Sequence, residues 1–138
     1  EILDELLPDL MDIYEHKQVR LIRKREEQPF IIRCNHSLAQ ILVSNLVKNS
    51  LLHNREGGEL QVLTTPTSLV IKNTGDVPLD GEKLFRRFYH GMDGKKDSTG
   101  LGLAIARSIA LSSLLKLTYE WQNGMHAFRL VKESKIYR

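Results

Sequence analysis

The sequence has little of what stabilises small secreted proteins or anchors proteins in membranes. Its 138 residues include a single cysteine, Cys34, which excludes an internal disulfide framework and a cysteine-rich zinc site. No apolar run reaches the ~18 residues of a membrane-spanning helix, and no basic-then-apolar leader opens the chain. We therefore expect a soluble, cytoplasmic domain. Because the chain starts at Glu1 without a methionine, we also expect it to be a domain excised from a longer protein.

The sequence also lacks a strong excess of either charge. A net charge of +3 over 138 residues is too diffuse to predict a nucleic-acid partner. The proportions of hydrophobic (41%) and charged (27%) residues are those of an ordinary globular chain, which argues against disorder and against a fibrous architecture. At this length we predict one folded domain over residues 1–138.

Hydrophobic periodicity predicts helices and strands that interleave without a strict strand-helix-strand rhythm. The predicted helices are Glu1–Tyr14, kinked or restarted at Pro8, Leu38–His53, capped by Ser37, the short Glu82–Tyr89, and Leu101–Leu115. The predicted strands are Gln18–Arg23, Phe30–Arg33, Leu60–Thr64, Leu69–Lys72, Lys116–Gln122 and Met125–Val131. The pattern favours a mixed sheet covered on one face by helices over a doubly wound parallel sheet.

A polar stripe lies on the second predicted helix, where Asn45, Asn49 and His53 are spaced four residues apart. We expect the core side of the same helix to carry Leu38, Ile41, Leu42, Leu46 and Leu51. Asparagine is a mediocre helix former, and its amide oxygen is a hard, neutral ligand that suits Mg²⁺. The stripe is therefore either a magnesium site or a solvated helix face.

Two glycine-containing segments lie at the ends of predicted elements. Asn73-Thr74-Gly75 follows a strand, where the amide oxygen can accept a hydrogen bond from an adenine amine and glycine lets the backbone approach a flat base. Gly100-Leu101-Gly102 opens a helix, where unpaired backbone amides can bind phosphate. Each has a structural alternative, a plain turn for the first and helix packing for the second.

The stretch between these segments is both aromatic and basic. Phe85 and Phe88 are spaced to anchor a short helix on the core. The following His90–Ser98 is polar and contains glycine and lysine, which predicts a mobile loop. From this stretch Arg87, His90 and the loop lysines either reach phosphates or are simply solvated.

Taken in order, four motifs resemble the asparagine, first glycine, phenylalanine and second glycine boxes of sensor histidine kinases. They are Asn45-Leu46-Val47-Lys48-Asn49-Ser50, Asn73-Thr74-Gly75, Phe85-Arg86-Arg87-Phe88-Tyr89 and Gly100-Leu101-Gly102-Leu103-Ala104-Ile105. The resemblance implies the Bergerat-type fold of gyrase, heat-shock chaperone and mismatch-repair ATPases, an α/β (α+β) two-layer sandwich with helices on one face of a mixed sheet. It also implies ATP and Mg²⁺ as cofactors, and transfer of the γ-phosphate to a histidine.

The resemblance assigns roles to individual residues. It implies that Asn49 is the magnesium ligand and the catalytic residue, that Asn45 lies near the phosphates, and that His53 lies by the adenine or ribose. It implies that Asn73 and Gly75 contact the adenine. The remaining nucleotide contacts that it implies are Arg87, His90, Thr99, Gly100, Leu101, Gly102 and Leu103.

The sequence departs from the family pattern at several positions. In the first glycine box Asn73 replaces an aspartate and Val77 a glycine, so a charge-assisted hydrogen bond to the base is lost. Leu52 replaces a common basic residue, Ile41 a frequent polar one, and Ser98 the leading glycine of the second glycine box. These departures keep open the alternative of a degenerate nucleotide-binding module without transfer activity.

None of the 5 histidines has the acidic helical context of the phosphoacceptor in such kinases. We therefore expect the acceptor on a separate dimerisation segment of a parent kinase, an inner-membrane sensor in one reading, with a response regulator downstream. The isolated chain is expected to be monomeric and to lack autophosphorylation. A related ATPase or serine kinase is a further alternative, disfavoured because Leu38–His53 contains no Asp or Glu to act as a general base.

Overall fold

The computed structural model describes residues 1–81, 83–86 and 101–133. Its helices are α1 (Ile2–Ile13), α2 (His36–Leu52) and α3 (Gly102–Ser112), and a 3₁₀ turn lies at Glu15–Lys17. Its strands are β1 (Arg20–Arg25), β2 (Glu59–Thr64), β3 (Ser68–Thr74), β4 (Leu115–Gln122) and β5 (Met125–Lys132). None of these helices combines the length and the apolar composition needed to cross a bilayer.

The strands form one mixed sheet in the order β1-β2-β3-β5-β4. β1 runs parallel to β2, whereas the other neighbouring strands are antiparallel. The turn between β4 and β5 consists of Asn123 and Gly124, with φ angles of 53° and 76°. Two successive positive φ angles are those of the type I′ turn that an Asn-Gly pair favours, so the predicted hairpin is confirmed.

One face of the sheet, here called the inner face, is buried against the helices. Val62, Ile71, Phe128 and Tyr119 are neighbours in one row across β2, β3, β5 and β4, and the first three are at most 1% exposed. The same core includes leucines of α1 and α2 and alanines of α3. The chain is therefore a two-layer sandwich of a mixed sheet with helices on one face, as predicted.

α1 is one continuous helix through Pro8, so the predicted restart there does not occur. Leu3 and Leu10 are buried on either side of the proline and attach both halves of the helix to the core. Asp4 accepts a hydrogen bond of 2.6 Å from Nη1 of Arg23 on β1. This hydrogen bond and the charge of Arg23 lower the pKa of the Asp4 carboxyl.

The segment Phe30–Arg33 is not a strand, so that prediction was wrong. It belongs to the connection between β1 and α2, where Phe30 and Ile32 pack against the core while Ile31 is 66% exposed. The Lys132 ammonium of β5 lies 5.6 Å from the centre of the Phe30 ring. The apolar character of this run therefore reflects how an irregular connection covers the core, not strand pairing.

α2 begins at His36 and is capped by Asn35, not by Ser37 as predicted. The Asn35 Oδ1 accepts hydrogen bonds from the backbone N–H groups of Ser37 at 2.9 Å and Leu38 at 3.3 Å. Leu38 and Ile41, expected in the core, are 41% and 44% exposed. They lie off the buried side of the helix, which consists of Ala39, Leu42, Val43, Leu46, Val47, Ser50 and Leu51.

The predicted helix Glu82–Tyr89 is not formed in its described part, which consists of turns. The backbone N–H of Leu84 donates to the carbonyl oxygen of Asp80 at 2.9 Å. Phe85 packs against the core as predicted, with its ring edge-on to that of Phe128 at a centroid distance of 6.4 Å. The remainder of the predicted helix, including Phe88, lies outside the described residues.

Several further element ends differ from their predicted positions, among them the C-terminal ends of β1 and α3. β1 continues to Arg25 because its parallel pairing with β2 extends to the partner Thr64. α3 ends at Ser112, since Leu114 adopts a left-handed φ of 58° that stops the helix. Leu115, predicted as the last residue of that helix, instead opens β4 and is 1% exposed.

Candidate functional site

The polar stripe of α2 lies beside the buried side of the helix. Asn45 and Asn49 are both half-buried, whereas Lys48 between them is exposed. His53 is the C-terminal capping residue of α2, with φ −94° and ψ 7°, so it lies just past the last helical turn. The stripe therefore comprises two helical amides followed by an imidazole at the end of the helix.

The start of α3 lies against this stripe. A Cβ built on Gly102, the first residue of α3, would be 3.9 Å from Cγ of Asn45. Leu101 precedes the helix, and among the residues that the structure describes no side chain caps it. The first amides of α3 carry the partial positive charge of a helix N-terminus. Two predicted contacts, Gly102 and Asn45, are thus neighbours, and Leu103 packs against the core.

The end of β3 presents a buried amide on the inner face. Asn73 is 1% exposed, and its Nδ2 donates a 3.1 Å hydrogen bond to the carbonyl oxygen of Thr74. Since only the NH₂ group can donate to a carbonyl, this bond fixes the orientation of the amide and leaves Oδ1 as an acceptor.

Gly75 is held in place by its neighbours on β4 and in the β4–β5 turn. Its N–H donates to the carbonyl oxygen of Gly124 at 3.0 Å, and its own carbonyl accepts a 2.8 Å hydrogen bond from Nε1 of Trp121. A Cβ at this position would lie 2.1 Å from Nε2 of His126 and 2.3 Å from its Cδ2. A side chain at this position would therefore have to displace the imidazole of His126.

His126 was not identified from the sequence, yet it lies beside the predicted adenine residues. It is the cross-strand partner of Asn73 and is 6% exposed. Its Nδ1 is 2.7 Å from the hydroxyl oxygen of Tyr119, which also accepts a 2.9 Å hydrogen bond from the backbone N–H of Leu79. The signal that could have revealed it is its even spacing from Phe128 and Leu130, which places all three on one face of β5.

Some predicted site residues lie outside the described part of the chain. These are Arg87, His90, Thr99 and Gly100, together with the loop of residues 91–98. Among the departures from the family pattern, Val77 is 58% exposed and Leu52 is half-buried with its carbonyl accepting a hydrogen bond from Nζ of Lys17. The described residues include no group of three or more His, Cys, Asp and Glu side chains that could hold a metal ion.

Comparisons with known proteins identify the family to which the chain is related. Residues 35–131 match the family described as "Histidine kinase-, DNA gyrase B-, and HSP90-like ATPase". The chain is 27% identical over 141 residues to the sensor histidine kinase HprS of Escherichia coli (strain K12), an alignment that covers 93% of this chain and 30% of HprS. It is 33% identical over 104 residues to the sensor histidine kinase YvrG of Bacillus subtilis (strain 168), covering 69% of this chain and 17% of YvrG.

Solved structures share the fold. The mycobacterial sensor histidine kinase MprB superposes with a TM-score of 0.80 at 21% identity, over 96% of this chain and 93% of MprB. The catalytic domain of the histidine kinase ThkA superposes with a TM-score of 0.72 at 20% identity, over 96% of this chain and 93% of that domain. The chain spans less than a third of the length of HprS and of YvrG. On the family match and the shared fold, the chain belongs to the histidine kinase-, DNA gyrase B- and HSP90-like ATPases.

Proposed function

We propose that this chain binds ATP together with Mg²⁺ and is the catalytic domain of a sensor histidine kinase. In this proposal the γ-phosphate passes to a histidine on a separate dimerisation segment of the parent protein. The observation that carries the proposal is the contact between Gly102 and Asn45, with 3.9 Å between a built Cβ and Cγ. It sets the start of α3 against Asn45 of α2, so that both can reach one phosphate chain.

Each part of the site has a task in this proposal. The first amides of α3, from Gly102 onward, and the side chain of Asn45 bind the phosphates. Asn49 offers one amide oxygen to Mg²⁺, whose other ligands are phosphate oxygens and water. Asn73 accepts a hydrogen bond from the base, and His53 lies on the ribose or adenine side. When bound, ATP supplies the phosphoryl group and Mg²⁺ neutralises charge on its oxygens.

The composition of α2 favours transfer over hydrolysis. Hydrolysis needs a general base beside the attacking water, and α2 contains no Asp or Glu over His36–Leu52. Transfer to a histidine needs no such base, since a neutral imidazole nitrogen is itself the nucleophile. The proposed partners are accordingly the phosphoacceptor helices and, downstream, a response regulator. The chain by itself is proposed to be a monomer on the cytoplasmic side of the parent protein.

A second candidate is a nucleotide-binding module that has lost transfer activity. It is favoured by the neutral amide of Asn73 in place of the family's acid and by the exposed Val77 in place of a glycine. Both candidates require nucleotide binding. They differ in whether phosphate reaches the acceptor segment.

The nucleotide complex is tested by calorimetric titration with a non-hydrolysable ATP analogue, with and without Mg²⁺. We expect binding that Mg²⁺ strengthens. Asn49→Ala should remove that strengthening, lowering the affinity in Mg²⁺ by at least about tenfold, while thermal unfolding stays close to that of the wild type because Asn49 is only half-buried.

The matched control is Ser44→Ala, a small truncation on the same helix but about 100° around it from Asn45. It should leave the magnesium effect unchanged. An Asn49→Ala protein that still binds more tightly in Mg²⁺ would contradict the role of Asn49, and absence of binding at millimolar analogue would contradict the proposed function.

A further inference from the structure

The turn that follows α2 is tied by one lysine to the segment that precedes β1. The ammonium group of Lys17 donates hydrogen bonds to the carbonyl oxygens of Leu52 and, at 3.0 Å, of Asn54. The carbonyl oxygen of Lys17 in turn accepts a 2.8 Å hydrogen bond from the backbone N–H of Gly57. Lys17 therefore holds this turn through both its side chain and its main chain.

The two carbonyl groups belong to the residues on either side of His53. The backbone N–H of His53 donates to the carbonyl oxygen of Asn49 at 3.1 Å, but its φ of −94° and ψ of 7° are no longer helical. Helix ends fray more readily than helix interiors, because their last carbonyl groups have no partner within the helix. The ammonium group of Lys17 therefore fixes the backbone where the helix itself holds it least.

The same turn is attached to the sheet on its other side. Asn54, which accepts one of the hydrogen bonds from Lys17, is 4% exposed. Its Nδ2 donates a 2.9 Å hydrogen bond to the carbonyl oxygen of Glu59, the first residue of β2. The backbone around His53 is thus joined to the sheet through a buried amide and a half-buried ammonium group.

We propose that Lys17 is a positioning residue of the nucleotide site, which holds His53 where its imidazole meets the ribose or the base. Without the ammonium group the end of α2 would sample more conformations, and only some of them would place the imidazole correctly. The apparent affinity for a ligand falls in proportion to the fraction of molecules in the binding-competent conformation. This inference rests on the proposed function and adds to it a residue that acts on the nucleotide through His53.

The test separates an effect on His53 from an effect on folding. Binding of a non-hydrolysable ATP analogue is measured by calorimetric titration, with and without Mg²⁺, well below the unfolding temperature of each protein. The proteins compared are the wild type, Lys17→Met, His53→Ala and the double variant. We expect Lys17→Met to bind about three- to tenfold more weakly than the wild type. The factor by which Mg²⁺ strengthens binding should stay the same, because Asn49 lies one turn earlier in α2.

The double variant should bind no more weakly than His53→Ala, since Lys17 acts through that residue. Lys17→Arg keeps a cation that can donate to two carbonyl groups and should recover most of the affinity. Lys24→Met, on the exposed edge of β1, is the matched control and should bind like the wild type. Unchanged affinity in Lys17→Met or in His53→Ala, or losses that add fully in the double variant, would overturn the inference and leave the proposed function standing.

A measurement on the unaltered protein covers the case in which Lys17→Met does not fold. Binding of the analogue should slow amide hydrogen exchange at His53 and Asn54, because the bound nucleotide then opposes opening of the end of α2. Unchanged exchange at these two amides in a protein that binds the analogue would overturn the inference alone. A wild type that does not bind the analogue at millimolar concentration would overturn both the inference and the proposed function.

Discussion

At Gly75 the imidazole of His126 occupies the volume that a side chain would need. A Cβ there would lie 2.1 Å from Nε2, far inside van der Waals contact. His126 cannot easily move aside, because its other nitrogen is bonded to Tyr119. The space available at this glycine is therefore set by a strand that follows it by some fifty positions in the sequence.

We predict that Gly75→Ala destabilises the protein by about 1–3 kcal/mol through overpacking and also weakens nucleotide binding by displacing His126. The free energy of unfolding in urea and calorimetric titration measure the two effects. The matched control is Gly81→Ala, where the nearest atom to a built Cβ is Cδ2 of Tyr119 at 3.9 Å. Equal stability changes in the two variants would show that the imidazole yields to the new methyl group.

The sequence predicted the role of a single residue only where that residue belongs to a recognisable family motif. The pairing of Asn45 with Gly102 could be anticipated only through the family pattern, since the two lie on different helices and no local periodicity relates them. His126 escaped prediction because a lone polar residue on an apolar strand face has no partner visible in the sequence. Its partners Asn73 and Tyr119 meet it only through strand register.

At the scale of elements, the carbonyl groups at the C-terminal end of α2 are hydrogen-bonded by a lysine from another segment of the chain. α2 has no basic residue in its own last turn. The ammonium group of Lys17, next to β1, donates instead to the carbonyl oxygens of Leu52 and, at 3.0 Å, Asn54. A cation at this position satisfies carbonyls that the helix leaves unpaired and opposes the negative end of its dipole.

Lys17→Met keeps most of the apolar stem and removes the ammonium group. We expect it to lower the free energy of unfolding by about 1–2 kcal/mol. Lys24→Met on the exposed edge of β1 is the control and should change it little. The comparison is made by urea unfolding of both variants with the wild type. A loss of stability no larger than that of the control would mean that water replaces the ammonium group at no cost.

Helices and strands could be predicted where the hydrophobic periodicity agreed with the turn and capping residues. They were harder to predict where tertiary contacts determine the local conformation. α2 and the β4–β5 hairpin follow from their apolar spacing and from Asn123-Gly124. By contrast, Phe30–Arg33 has the composition of a strand but covers the core as an irregular segment. The N-cap of α2 is Asn35 and not the predicted Ser37. Both residue types can cap a helix and they are two positions apart, so the sequence alone does not say which of them is the cap.

At the scale of the whole molecule, the two-layer architecture could be predicted from the sequence but the strand order could not. Alternation along β2, β3 and β5 indicates a sheet with one buried face. The parallel pairing of β1 with β2 depends on α2 crossing between them, and the position of β5 between β3 and β4 depends on long-range pairing. Neither of these strand pairings can be recognised from the local amino-acid sequence.

The separation of ATP binding from the phosphoacceptor leads to a prediction about the isolated chain. With radiolabelled ATP and Mg²⁺, we expect residues 1–138 alone to gain no acid-labile phosphohistidine and to release phosphate slowly, because α2 offers no carboxylate to activate water. Addition of the histidine-bearing helices of the parent kinase should produce label on those helices, and Asn49→Ala should abolish it. Nucleotide binding without label on the helices would favour the inactive module. Label on the chain itself would contradict a separate acceptor, whereas rapid phosphate release would place this chain with the hydrolysing ATPases of its family.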